Sequence, residues 1–217
     1  MKKVIIAGAN GLVGSHLLNF LLSENEVEMV VALVRKPLGI THPKLFQEII
    51  DFNKICSYSG LINGSAVFCC LGSTRAKTPD LDDYRRVDYN YPLSLAQIAS
   101  KNKIEQFHLV SAIGANPKSK NFYVRVKGEV ERDIKQLNFK SLHIYKPSLL
   151  VGERKEKRLL ENTGHYIMKM LNPFLTGRFE KYRSIKGEVV AGAMARQFLK
   201  DLNGTFLYYS DQINKLA

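Results

Sequence analysis

The chain has 217 residues, 45% hydrophobic and 24% charged, a composition typical of one globular domain with a sizeable core. No apolar run approaches the roughly 20 residues needed to span a bilayer, and Cys56, Cys69 and Cys70 fit neither a disulfide framework nor zinc-ligand spacing and read as buried small hydrophobes. A formal charge of +12 calls for an anionic partner or a phosphate-rich ligand, but the basic residues are scattered and no helix-turn-helix, zinc-finger or RNP-like pattern accompanies them, which argues against nucleic acid.

The sequence passes from Met1-Lys2-Lys3 straight into Val4-Ile5-Ile6-Ala7, without a small-residue cleavage site, which predicts a cytoplasmic protein. That apolar run suits a strand buried on both faces. Gly8, Ala9, Asn10, Gly11, Leu12, Val13 and Gly14 follow, and Leu17, Leu18, Leu21 and Leu22 give the next segment one apolar helical side. Strand, glycine loop and helix make a dinucleotide-binding pattern. Gly8 permits the tight turn, Gly11 lets a diphosphate approach the backbone, and Gly14 lets the helix pack on the strand. The spacing is G-x-x-G-x-x-G, one residue longer than the commoner fingerprint.

Residues 28–34 form a second strand that ends in Arg35-Lys36-Pro37. An acidic residue here would take the ribose 2′-hydroxyl of NAD. A basic one pairs with the 2′-phosphate of NADP, so Arg35 with Lys36 favours NADPH over NADH unless both are merely solvated charges. Residues 45–50 are a weaker third strand. Asp51 and Phe52 after it could hold the adenine, with a helix N-cap as the rival role for Asp51. Residues 66–71 are a fourth strand, halted by Gly72, where a ligand can pass close to the backbone. The stretch 75–86 reads as a polar loop, and 87–101 as a helix with Pro92 in its first turn.

A fifth strand at 106–110 stops at Ser111, on the same crevice edge as the glycine loop. Tyr123 and Lys127, four apart on a charged amphipathic helix, project from one face. A sixth strand spans 141–147, a charged exposed loop 153–158, helices 166–171 and 189–199, and a last strand 205–209. The alternation predicts an α/β, doubly wound Rossmann-type parallel sheet, a single domain over 1–217 with small C-terminal substrate-side elements and a substrate-side insertion at 152–187. The Ser111, Tyr123 and Lys127 set can move a proton: the Lys127 ammonium beside a phenol of ordinary pKa near 10 makes the ionised form accessible and can also hydrogen-bond the cofactor's ribose, while Ser111 hydrogen-bonds the substrate oxygen.

Three segments carry a family resemblance: the glycine loop; Phe68-Cys69-Cys70-Leu71-Gly72-Ser73-Thr74-Arg75; and Phe122-Tyr123-Val124-Arg125-Val126-Lys127-Gly128-Glu129-Val130-Glu131. Lys146-Pro147-Ser148-Leu149-Leu150-Val151-Gly152-Glu153-Arg154 extends it over nearly the whole chain. The sequence resembles the atypical branch of the short-chain dehydrogenase/reductase superfamily and is most similar there to the Tat-interacting protein 30-like group. The resemblance implies an NADP-binding Rossmann fold in which Ser111, Tyr123 and Lys127 match the catalytic positions. It places Leu71 and Gly72 beside the cofactor, and Pro147 near the nicotinamide. Lys146 departs from the arginine that relatives commonly carry. The expected function is an NADP-dependent oxidoreductase acting on a small carbonyl or alcohol, as a monomer or homodimer. The alternative is an NADP(H)-binding regulatory protein whose partner is another protein.

Overall fold

The computed structural model describes residues 2–74, 76–152 and 175–217. Arg75, the stretch 153–158, the helix expected at 166–171 and most of the insertion expected at 152–187 lie outside them. In chain order the elements are β1 (Lys2–Ala7), α1 (Leu12–Ser23), β2 (Val27–Val34), β3 (Leu45–Ile49), a 3-10 helix (Phe52–Leu61), β4 (Ala66–Cys69) and α2 (Leu81–Arg85). A π-helical turn (Arg86–Asn90) then leads into α3 (Tyr91–Lys101), followed by β5 (Gln106–Val110), α4 (Phe122–Lys135), β6 (Ser141–Lys146) and β7 (Leu150–Val151). A second 3-10 helix (Gly177–Tyr182), β8 (Ile185–Lys186), α5 (Gly187–Phe198), β9 (Gly204–Tyr209) and α6 (Ser210–Leu216) complete the described chain.

Seven strands form one parallel sheet in the order β3-β2-β1-β4-β5-β6-β9, and β7 pairs separately with β8. Alternation along the strands divides the core in two. Val4 and Ile6 face α1 and α5 through Leu17, Leu21, Val190 and Met194. Ile5 and Ala7 face α3 and α4 through Leu95, Ala99, Val130 and Ile134. The strand order reverses between β1 and β4, so their C-terminal ends open the crevice at which such sheets bind ligands.

Two expectations are corrected. The stretch 75–86 is not all loop: α2 forms because the Asp80 carboxylate accepts from the amides of Asp82 and Asp83 at 3.0 and 2.8 Å, a good N-cap in a polar context. The cysteines are not uniformly buried, since Cys56 is exposed on a 3-10 helix that turns only Phe52 and Ile55 inward. The helix that runs into α3 also widens. Tyr91 donates its N–H to Arg86 O, and the wide turn immediately precedes Pro92, which has no N–H and crowds the turn before it.

On the α1 face of the sheet, Phe68 stacks on His108 at 4.6 Å, His108 on His143 at 4.4 Å, and His143 on Phe206 at 5.1 Å. Both imidazoles are fully buried, and each ring nitrogen has a partner: Tyr145 Oη and Gln106 for His108, Ser141 and Tyr208 Oη for His143. Burial drives His143 down to about 4. Burial and the neighbouring His143 drive His108 well below the usual range. A lowered folded pKa leaves stability intact above the unfolded value near 6.5 and removes it as pH falls toward 4. His143 alone is expected to remove about 3 kcal/mol over that window. Urea midpoints at the two ends should show a steep acid loss that His143→Phe flattens; an equal loss in the variant contradicts this.

Candidate functional site

The site begins where β1 ends. Gly8 has φ +88°, and a side chain there would meet the Cys70 carbonyl oxygen at 2.6 Å, so the β1 and β4 loops touch at this glycine. A Cβ on Gly14 would lie 2.1 Å from Gly8 O, which shows how closely α1 is laid on the loop. Gly11 caps α1 in extended conformation without a side-chain hydrogen bond, and no acidic residue occupies the first turn. The amides at that helix start are therefore available to an anion. Ala9 and Val13 are buried beneath, and Asn10 is exposed above. Leu12 wedges against Gly152 and Gly187, where a Cβ would sit 2.8 and 2.7 Å from its side chain, and so pins the helix start to the C-terminal segments.

A groove runs over this loop, and its walls include Gly8, Gly11, Arg35, Phe52, Leu71 and Gly72, with Val87 and Tyr91. Arg35 is exposed at the end of β2, and no carboxylate among the described residues pairs with it; Lys36 is exposed beside it. Phe52 is 5% exposed and packs at 5.5 Å on Tyr91, a flat apolar wall. Asp51 does not line the groove. Its Oδ1 accepts from Asn53 N at 2.9 Å and Asn53 Nδ2 at 3.0 Å, the N-cap role weighed against adenine contact.

Ser111, Tyr123 and Lys127 do not wall this groove; of the three, Lys127 reaches Gly72. A Cβ on Gly72 would be 3.6 Å from Lys127 Nζ and 3.5 Å from Asp88 Oδ1, so the glycine separates the groove from the ammonium by one atom's width. Lys127 is buried and paired with Asp88 at 2.8 Å. Asp88 sits in the π-helical turn, is fully buried, and accepts from Ser73 N through Oδ2 at 2.7 Å. Its Oδ1 is the oxygen that Lys127 Nζ approaches. Burial alone would lower the lysine, but Asp88 and then Tyr123 hold it well above the usual range. Burial raises the Tyr123 phenol; Lys127 pulls it down and Asp88 pushes it up again.

The Ser111 hydroxyl turns to Glu131, to whose Oε1 it donates at 2.5 Å, and Glu131 Oε2 is paired with Lys146 Nζ at 2.8 Å. All three are nearly buried. Tyr123, Lys127 and Glu131 recur every four residues on α4, so one helix face carries the phenol, the ammonium and the carboxylate. Pro147 fixes the loop after β5 by accepting from Ile113 N at 2.9 Å. Gly128 lets that loop cross α4: a Cβ there would stand 2.2 Å from Asn116 C and Pro117 N. Asp88, Glu131, Val87 and Tyr91 belong to the site although their place in the sequence assigns them no role there. Only the i, i+4, i+8 spacing from Tyr123 to Glu131 offered a signal.

Residues 4–204 match the NAD dependent epimerase/dehydratase family. The chain is 37% identical over 161 residues to Protein HTATIP2 of Rattus norvegicus, a match that covers 72% of this chain and 66% of that one. It is 32% identical over 174 residues to "Protein FMP52, mitochondrial" of Coccidioides immitis, 74% of this chain and 71% of that one. Among solved structures it is similar to MoeE5 in complex with UDP-glucuronic acid and NAD, with a TM-score of 0.72 at 18% identity, covering 94% of this chain and 75% of that one. The expectation of a cytoplasmic protein is corrected here, because the Coccidioides relative, like that of Saccharomyces cerevisiae, is named mitochondrial. Among the described residues no helix is long and apolar enough to cross a membrane.

Proposed function

The chain belongs to the NAD dependent epimerase/dehydratase family, and from that premise we propose that it is an NADP-dependent oxidoreductase that moves hydride between a nicotinamide and a small carbonyl or alcohol. The observation that carries the proposal is Lys127 under Gly72: it links the dinucleotide groove on one side to the Tyr123 phenol on the other. The groove fits a dinucleotide by its donor set. It has uncapped amides at the start of α1, loop glycines where a Cβ would strike neighbouring backbone, an aromatic wall at Phe52, and at Arg35 a cation with no carboxylate partner among the described residues.

When bound, the dinucleotide supplies the hydride. The protein's residues handle the proton. Tyr123 gives it to the substrate oxygen in reduction and takes it in oxidation, and Lys127 stabilises the phenolate form. Ser111 has one hydroxyl proton and donates it to Glu131, which Lys146 also holds, so toward a substrate it offers lone pairs and orients the O–H of an alcohol. The NADP preference rests on Arg35, whose guanidinium can take a 2′-phosphate in two parallel hydrogen bonds. Arg35→Ala is expected to weaken NADPH binding by about tenfold or more and to leave NADH binding unaltered, as read by cofactor fluorescence titration. Equal loss for both nucleotides, or for neither, removes the basis for the preference.

A further inference from the structure

Two buried ion pairs face the proposed proton path, and only one reaches Tyr123. Asp88 and Lys127 are held face to face beneath Gly72, with the carboxylate anchored by Ser73 N and the ammonium on α4 one turn from the phenol. The π-helical turn places Asp88 there: the widened turn before Pro92 carries Asp88 inward, although its sequence neighbours Arg85 and Arg86 pair at the surface with Glu129 and Asp83. An unpaired lysine in this position would lend its full charge to Tyr123. A lysine matched by a carboxylate at 2.8 Å lends much less.

We propose that Asp88 is a positioning residue for the proton-transfer pair: it fixes the Lys127 ammonium below Gly72 and offsets its charge toward Tyr123, so that the phenol stands as a proton donor and the site is set for carbonyl reduction. This rests on the function proposed above. The other groups that face the pair do not compete with Asp88. Tyr84 meets Tyr123 edge-on at 6.3 Å as a ring, and the Cys69 thiol, raised to about 11 by burial, is neutral. Glu129 is occupied by Arg85 and lies near Arg125, and Glu131 by Ser111 and Lys146. The opposed pulls of Lys127 and Asp88 on the phenol agree with this arrangement.

The test follows Tyr123 ionisation by tyrosinate absorbance in the full chain without cofactor, each protein being referenced to the same protein carrying Tyr123→Phe. In the wild type Tyr123 is expected to ionise above the ordinary value near 10. In Asp88→Asn, which keeps the shape and the acceptor for Ser73 N, the transition should move down by about one pH unit or more, because Lys127 then acts alone. Asp88→Asn with Lys127→Met strands no charge and should return it to within about half a unit of the wild type. That double variant keeps the test available if the single one fails to fold, since a large rise in it would show that Lys127 was never offset. An unmoved transition in folded Asp88→Asn, or a double variant displaced from the wild type, overturns the proposal. No substrate or nucleotide enters the measurement, so a protein that shifts as described yet binds no NADPH refutes the proposed function and leaves the role of Asp88 in place.

Discussion

Glu131→Ala is expected to cost the fold about 3–5 kcal/mol, a large share of the total stability of a domain of this kind. Glu131 and Lys146 are 5% and 7% exposed and stand 2.8 Å apart. Removing the carboxylate leaves the ammonium buried with the Ala115 carbonyl at 3.5 Å and the face of Tyr209 at 5.9 Å as its remaining partners among the described residues. Ser111 also loses its acceptor. The loss comes from the stranded charge rather than from any large net stabilisation by the pair, so Glu131→Leu together with Lys146→Met should recover most of it. Denaturant midpoints of the two single variants and the double one check this. A Glu131→Ala cost below about 1 kcal/mol, or additive losses, would contradict a desolvated pair.

Tyr123→Phe is expected to lower kcat/KM about 10²- to 10⁴-fold for a carbonyl that the wild-type protein reduces with NADPH, since a general acid contributes on that scale. Stability should barely change. The Tyr123 hydroxyl makes no hydrogen bond among the described residues, and the ring keeps its edge-on contact with Tyr84 at 6.3 Å. NADPH affinity should stay unaltered because Phe keeps the ring and the lost hydroxyl is not part of the groove wall. Steady-state kinetics and a nucleotide titration on the same preparation separate the two effects. Full turnover in the variant would assign the proton to another group.

The elements legible in the sequence were those with strong local signals. The glycine loop, the apolar strands and the i, i+4 pair of Tyr123 and Lys127 all reappear where spacing placed them, and the seven strands of the sheet fall on expected segments, β3 on the weakest signal because Gln47 and Glu48 interrupt its apolar residues. The 3-10 helix after β3 was missed because only Phe52 and Ile55 of its ten residues turn inward, too few to give a period. The pairing of β7 with β8 was missed because two-residue strands have no alternation to read. Asp88 escaped for a different reason. Its partner lies 39 positions away and its inward aim comes from a π-helical turn, so neither local spacing nor propensity points to it. Asp51 shows the opposite outcome: cap and ligand roles were both open in the sequence, and the Asn53 amide occupies the carboxylate.

The proposed reaction requires one crevice to bring a nicotinamide dinucleotide to Tyr123. A crystal structure of the protein soaked with NADP⁺ measures this most directly. The diphosphate is expected on the amides at Gly11–Gly14, the 2′-phosphate on Arg35, and the nicotinamide past Gly72 in van der Waals contact with Tyr123. A groove that stays empty at saturating nucleotide, or a nicotinamide lodged away from Tyr123 and Lys127, would contradict it.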